Sequence, residues 1–280
     1  MELNGKVALI TGAGSGIGRA LAQEAASRGL RLMIAGRRQE TLDETLALLP
    51  AGTDAVAVPA DINDDCARAE LKTVVAARFG RLNLLVNNAG VQTFGAFADM
   101  DPGQIRAMVE TNLLAPMCLT QSMLSLLRAG TPARIVNIGS MFGDIAFPWF
   151  AGYSATKFGM RGFSDALRRE LLEEGIGVTY AAPRATRTPA QSRSEHLEKP
   201  MKMVVDEPGA VARRILDAVA HDAARVYPRG MERLFVLLQQ VAPGLIDKSL
   251  AKQVQAVRAI SQKPADAAHQ PPTHGEKTGP

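Results

Sequence analysis

Four apolar residues, Val7-Ala8-Leu9-Ile10, run straight into Thr11-Gly12-Ala13-Gly14-Ser15-Gly16-Ile17-Gly18, and a helical pattern follows from Arg19 to Arg28. Few folds accept a strand, a glycine turn and a helix start in that order. Free backbone N–H groups and the positive end of the helix dipole converge on one point there, which makes an anion site. Gly12, Gly16 and Gly18 are the glycines that fit a phosphate cradle; Ser15 and Ile17 lie between them and are counted with them as cofactor-binding. The spacing is not the strict Gly-x-Gly-x-x-Gly, because the sixth position falls on Ile17.

The strand and helix alternation continues. Leu30 to Ala35 reads as a strand, Ala55 to Pro59 as a third, Asp64 to Phe79 as a helix and Leu82 to Val86 as a fourth strand. Such alternation predicts an α/β fold, a doubly wound parallel sheet of the Rossmann-like kind. The second strand ends at Gly36-Arg37-Arg38, where an acidic residue would hold the ribose 2′-hydroxyl of NAD. Two guanidinium groups stand there instead. Arginine pairs bidentately with phosphate, so Arg37 and Arg38 favour NADP(H). Asp61-Ile62 and Asn87-Asn88-Ala89-Gly90 follow the third and fourth strands, at the carboxyl edge where open α/β sheets bind ligands. The Asn pair has a second reading, since amides at a strand end also satisfy backbone groups.

A helix is expected from Pro102 to Leu127, with Ile105, Met108, Val109, Leu113, Met117, Leu119, Leu124 and Leu127 as its apolar face. Asn112 interrupts that neighbourhood, and a buried amide there either bonds across the core or holds water at a site. A fifth strand, Arg134 to Ile138, leads to Ser140 at the same edge. Thirteen positions on, Tyr153 and Lys157 lie one turn apart on a helix expected from Gly152 to Leu172. An ammonium beside a phenol stabilises the phenolate and lowers its pKa, which suits a general acid or base.

Composition limits the alternatives. A chain of 280 residues with 46% apolar content builds a sizeable core, and a net charge of +4 from scattered basic residues gives no case for nucleic acid. Cys66 and Cys118 lack metal-ligand spacing and a disulfide framework. The N-terminal residues show no secretory pattern and no uncharged run approaches bilayer length, so a cytoplasmic enzyme is expected.

Together, Thr11-Gly12-x-x-x-Gly16-x-Gly18, Asn87-Asn88-Ala89-Gly90, Asn112, Ser140 and Tyr153-x-x-x-Lys157 resemble the short-chain dehydrogenase/reductase superfamily over residues 4 to about 227. The resemblance implies hydride transfer between a nicotinamide and a carbonyl or alcohol carbon of a small-molecule substrate, and a homo-oligomer. By that analogy Tyr153 donates the proton and Ser140 hydrogen-bonds the same oxygen. Lys157 binds the nicotinamide ribose and keeps Tyr153 acidic, and Asn112 holds a water linking Lys157 to solvent. Asp61 and Ile62 would flank the adenine and Asn88 the adenosine ribose. After a sixth strand, Gly177 to Ala182, the family's Pro-Gly appears as Pro183-Arg184, with Thr188 in the expected place and counted as cofactor-binding. Arg184 either meets an acidic group of a ligand or points outward. The polar segment from Pro189 to Val205, with His196 and Met201-Lys202-Met203, is the expected lid.

Asp206 to Ala220 reads as helix and Arg225 to Pro228 as the last strand, closing a catalytic domain at residue 228. Residues 229–261 form a helical extension beyond the family's usual end. Its apolar stripes pack over the cleft or a subunit, or make a peripheral membrane contact supported by Arg229, Arg233, Lys248 and Lys252. Residues 262–280, rich in proline and polar side chains, read as disordered. The activity expected is NADPH-dependent reduction of an apolar ketone, with a ketoacyl compound among the candidates. A cofactor-retaining epimerase or dehydratase and a non-catalytic NADP-binding sensor are the alternatives.

Overall fold

The computed structural model describes residues 1–189 and 203–261. Most of the expected lid, including His196, Met201 and Lys202, and the expected disordered tail therefore lie outside the described residues. A seven-stranded parallel sheet forms the centre, with strands in the order β3-β2-β1-β4-β5-β6-β7. The strands are β1 Val7–Thr11, β2 Arg31–Gly36, β3 Ala55–Pro59, β4 Leu84–Asn87, β5 Ala133–Ile138, β6 Ile176–Ala181 and β7 Arg225–Val226. Both faces of such a sheet are covered, so its strands read as continuous apolar runs. β1 shows the period of two beneath that run. Ala8 and Ile10 join one core with Leu21 and Ala25 of α1 (Gly16–Ser27), Leu42 of α2 (Gln39–Ala47) and Ile215 and Val219 of α7 (Pro208–Ala220). Val7 and Leu9 face the other core, with Leu71 and Val75 of α3 (Asp65–Phe79), Leu119 and Met123 of α5 (Ala115–Ala129) and Leu167 of α6 (Ala151–Glu170).

Local chemistry sets the element ends. Asp64 caps α3 by accepting from the Cys66 N–H at 2.8 Å, and Gly80 ends it in the left-handed conformation that glycine adopts without a Cβ clash. Pro208 opens α7, where a missing N–H costs nothing.

The long helix expected from Pro102 to Leu127 is not continuous. It divides into α4 (Pro102–Val109), a π-helical turn (Glu110–Leu114) and α5. The extra residue of a π turn shifts the angular position of everything beyond it. Met117, expected on the apolar face and lying beyond the turn, is exposed, whereas Leu119 and Leu127 are buried; before the turn Val109 is also exposed and its neighbour Met108 is the buried residue of α4.

The extension consists of α8 (Glu232–Val241) and α9 (Pro243–Ser261). Val236 and Ile246 are buried beside Met141, Ile145 and Tyr180, so these helices join the core beneath the sheet's carboxyl edge. The outer face of α8 exposes Leu234, Leu237 and Val241, with Met231 and Leu245 beside it. No helix among the described residues is long and apolar enough to cross a membrane.

Candidate active site

The sheet order reverses between β1 and β4, and ligands in open α/β sheets sit in the crevice at such a point. A cleft of about 870 Å³ opens there. One end is lined by Gly12, Gly14, Ser15, Gly16 and Ile17 with Arg37, Arg38, Asp61, Ile62 and Asn88, and the other by Ser140, Tyr153 and Lys157.

The glycine turn is shaped for close approach. Gly12 and Gly16 adopt φ of +64° and +54°. A Cβ on Gly12 would lie 2.8 Å from the Ala89 Cα, and one on Gly16 2.8 Å from the Thr188 Cγ2, which brings Thr188 beside the turn. Gly18 does not line the cleft; it is buried against the Gly12 carbonyl and lets α1 close on the turn. The first turn of α1 carries no acidic side chain, and the Ser15 side chain does not cap it. Its orphan N–H groups and dipole therefore remain for an anion, and the residues present fit a nucleotide cofactor's phosphates. Arg37 and Arg38 are exposed at this end, and neither is held in an ion pair among the described residues.

Of the supports of the turn, the sequence offered the Asn88 amide as an alternative reading and did not show those of Thr11 and Arg19. The Thr11 hydroxyl accepts from the Asn88 and Ala89 N–H groups at 3.0 and 3.1 Å and donates to the Val86 carbonyl at 3.2 Å. Asn88 donates its amide to the Thr11 and Gly12 carbonyls at 2.8 and 3.2 Å, the backbone-satisfying role open to an Asn at a strand end. Arg19 reaches back from α1 to the Gly14 carbonyl at 2.6 Å and to Glu44 at 2.7 Å. Asp61 is exposed and accepts from the Asn63 N–H at 3.0 Å, while Ile62 is buried.

At the other end, Ser140 follows β5 and its hydroxyl accepts from the Phe142 N–H at 3.1 Å. Tyr180 of β6 braces this turn from below by donating its hydroxyl to the Ser140 carbonyl at 3.1 Å. Gly139 and Gly143 make room for that ring, since a Cβ on either would run into it. Asp144 is buried behind the turn, paired with Arg161 at 2.9 Å and accepting from the Tyr227 hydroxyl at 3.0 Å.

Tyr153 and Lys157 project from the first turns of α6, as their spacing predicts. The ammonium lies 5.6 Å from the centre of the tyrosine ring and donates to the Ile138 carbonyl at 2.9 Å. It is thus seated over the ring face. Burial pushes the phenol up to about 12, against the pull of the hydrogen-bonded Ser140 side chain, and pulls Lys157 down to about 8. Against the downward shift expected from the sequence, the phenol is raised, because burial outweighs the Ser140 hydrogen bond.

The sign of the Lys157 shift has a stability consequence. The unfolded chain holds this proton up to its ordinary pKa of ~10.4, whereas the folded chain releases it near 8. The folded state is therefore penalised below about 8 and regains stability as pH rises to ~10.4. The gross penalty is about 3 kcal/mol, offset in part by the hydrogen bond to Ile138. Lys157→Met is expected to raise the Tm of the cofactor-free protein by a few degrees at neutral pH and to flatten its rise between pH 8 and 10. A lower Tm in calorimetry would show that the hydrogen bond outweighs desolvation.

Asn112 lies in the π turn and is 1% exposed. Its amide oxygen accepts from the Val91 N–H at 2.8 Å, and its nitrogen donates to the Val91 carbonyl at 2.8 Å and the Thr156 hydroxyl at 3.2 Å. The side chain thus ties the loop after β4 to α6, one residue from Lys157. Arg184, left open by the sequence, does not point outward: it pairs with Asp206 at 2.7 Å and with Glu232.

The short chain dehydrogenase family model matches residues 6–199. The chain is 31% identical to the uncharacterized oxidoreductase YxnA of Bacillus subtilis, over 90% of this chain and 73% of that protein. It is 28% identical to the ketoacyl reductase HetN of a Nostoc species, over 88% of each. A short chain dehydrogenase/reductase from Burkholderia phymatum, solved with NAD, superimposes with a TM-score of 0.79 at 24% identity, over 88% of this chain and 96% of that one, and shows the same fold. The match spans the glycine turn, Asn112, Ser140, Tyr153 and Lys157, and the chain belongs to the short-chain dehydrogenase/reductase family of oxidoreductases.

Proposed function

We propose that the protein reduces the carbonyl of an apolar ketone, a ketoacyl compound being the leading candidate, with NADPH as hydride donor. The observation that carries this reading is one continuous cleft with a phosphate cradle and the Arg37–Arg38 pair at one end and Ser140, Tyr153 and Lys157 at the other. The likeness to a ketoacyl reductase supports the substrate class.

The turn at Gly12–Gly18, Thr188 and the pair Arg37 and Arg38 would hold the phosphates, Asp61, Ile62 and Asn88 the adenosine, and Lys157 the nicotinamide ribose. When bound, the cofactor supplies the hydride. As it reaches the carbonyl carbon, negative charge grows on the oxygen, and donors already fixed in place stabilise it without reorganising. Tyr153 gives its phenolic proton to that oxygen while Ser140 donates a hydrogen bond to it. A phenol held up to about 12 keeps this proton across the neutral range. Asn112 keeps Thr156 and the loop at Val91 in register with Lys157, and a water beside it is proposed to carry protons to Lys157.

Arg37 and Arg38 carry the cofactor preference. Replacing both with alanine is expected to weaken NADPH binding by about 10- to 100-fold while changing NADH binding little, the loss of two charge-assisted phosphate contacts. Cofactor titration by fluorescence reads this directly. An unchanged ratio of the two affinities would move the 2′-phosphate elsewhere or make NAD the cofactor.

A further inference from the structure

Arg184 stands where the family resemblance expects glycine, and it is not available as a free cation. Its guanidinium, part-buried, bonds to Asp206 at 2.7 Å and to Glu232, and Arg214 approaches the second oxygen of Asp206 at 3.5 Å. Arg184 follows β6, Asp206 lies on the chain returning to α7, Arg214 lies in α7, and Glu232 begins α8. Asp206 is also fixed by its backbone, donating to the Ala185 carbonyl at 2.8 Å and accepting from the Arg187 N–H at 2.9 Å. Glu232 begins α8, where a carboxylate meets the positive end of the helix dipole. Gly230 adopts φ of +138°, and a side chain there would collide with the Glu232 carboxylate.

The cluster has a direct relation to the cleft. Arg184, Glu232 and Phe235 all line it, as do Phe142, Ile145, Phe147 and Met203; Phe142, Phe147 and Met203 pack with Tyr153 around Phe150, and Ile145 packs with Val236 of α8, the residue after Phe235. Besides the clamp, α8 buries only Val236 fully. We propose that Arg184 sets the substrate range by clamping α8 in place as a wall of the cleft, so that Phe235 and its apolar neighbours receive an uncharged, apolar arm of the substrate. Arg184 is a positioning residue in this reading. Its charge is spent on two carboxylates, so it has none left for a carboxylate on the substrate. Removing the guanidinium leaves Asp206 with Arg214 alone and takes from Glu232 the ion pair that held it in partly buried surroundings, which drives Glu232, and α8 with it, towards water.

The substrate class rests on the carbonyl-reductase reading; the clamp does not, and two measurements keep them apart. The first is hydrogen exchange of the cofactor-free protein. In Arg184→Gly, amides of Glu232–Val241 are expected to exchange at least about 10-fold faster, with Arg184→Lys between that variant and the wild type. Unchanged exchange overturns the clamp whatever the activity. The second is steady-state reduction of butan-2-one, hexyl acetoacetate and acetoacetate with whichever nicotinamide cofactor supports turnover. The wild type is expected to favour the hexyl ester over the free acid by at least about 10-fold in kcat/KM. In Arg184→Gly the KM for the ester should rise about 10-fold with kcat nearly unchanged and with butan-2-one kinetics within about twofold. Equal losses on ester and small ketone, no loss on either, or a wild-type preference for the acid would overturn the substrate assignment. A wild type that reduces none of the three contradicts the carbonyl-reductase reading, and the exchange result still decides the clamp.

Discussion

Tyr153→Phe is expected to lower kcat for carbonyl reduction by about 10³-fold, within the range contributed by a positioned general acid, and to leave cofactor affinity within about twofold. The substitution removes one hydroxyl and keeps the ring, whose edge contact with Phe142 spans 6.3 Å between centroids. Lys157 stays bonded to Ile138, and Ser140 keeps its own bond to Phe142. The one bond given up is that between the phenol and Ser140, so stability should fall by no more than about 1 kcal/mol, and lost turnover would report the missing hydroxyl. The direction of the phenol's shift adds a pH signature. Reduction needs the protonated phenol, which is present throughout the neutral range, whereas alcohol oxidation needs the phenolate and should accelerate as pH rises. Single-turnover measurements in both directions would check this. Retention of most of the activity by Tyr153→Phe would remove Tyr153 as proton donor.

Gly18→Ala should damage both stability and cofactor binding, because the added methyl group meets backbone at the cofactor turn itself. Its Cβ would sit 2.5 Å from the Asn88 amide nitrogen and 2.8 Å from the Gly12 carbonyl carbon, closer still to the Gly12 oxygen. Backbone cannot yield there without moving the turn, and the Asn88 bonds to Thr11 and Gly12 would be lost with it. Overpacking of this kind costs about 1–3 kcal/mol, the broken bonds about 1 more, and Tm should fall by about 5–10 °C. Cofactor affinity should fall with it by at least about 10-fold, because about 1.4 kcal/mol of misalignment suffices. Gly162→Ala is the matched control. It lies in α6 with nothing near its missing side chain, so the same change should stabilise the protein by about 1 kcal/mol. Equal melting temperatures for the two variants would mean that the turn has room the geometry denies it.

What the sequence made legible was short in range. Thr11 to Gly18 betrays itself because strand, turn and helix are consecutive, and Tyr153 and Lys157 because four residues make one helical turn. The two cores follow from unbroken apolar runs separated by helical patterns. The hidden parts all depend on partners far along the chain. Arg184 meets Asp206 and Glu232, 22 and 48 residues on, and no local pattern announces such a cluster. Gly139 and Gly143 flank the turn after β5, and what requires them there is the Tyr180 ring of another strand. The electrostatics of Lys157 were hidden for a similar cause, since spacing supplies its neighbour but not its burial. The π turn was unreadable because Glu110-Thr111-Asn112-Leu113-Leu114 is ordinary helix-compatible sequence.

That π turn makes the helix behind the site two rods joined out of phase. An α-helix advances about 100° per residue, so one extra residue rotates α5 by that amount relative to a smooth continuation of α4. Each rod keeps its own apolar stripe, and the polar seat of Asn112 falls at the step between them, where it interrupts neither. Over evolutionary time this segment would absorb many substitutions on either rod but not a change in length. A lineage that lost one residue here would gain a more regular helix and lose the only angle from which Asn112 reaches both Val91 and Thr156.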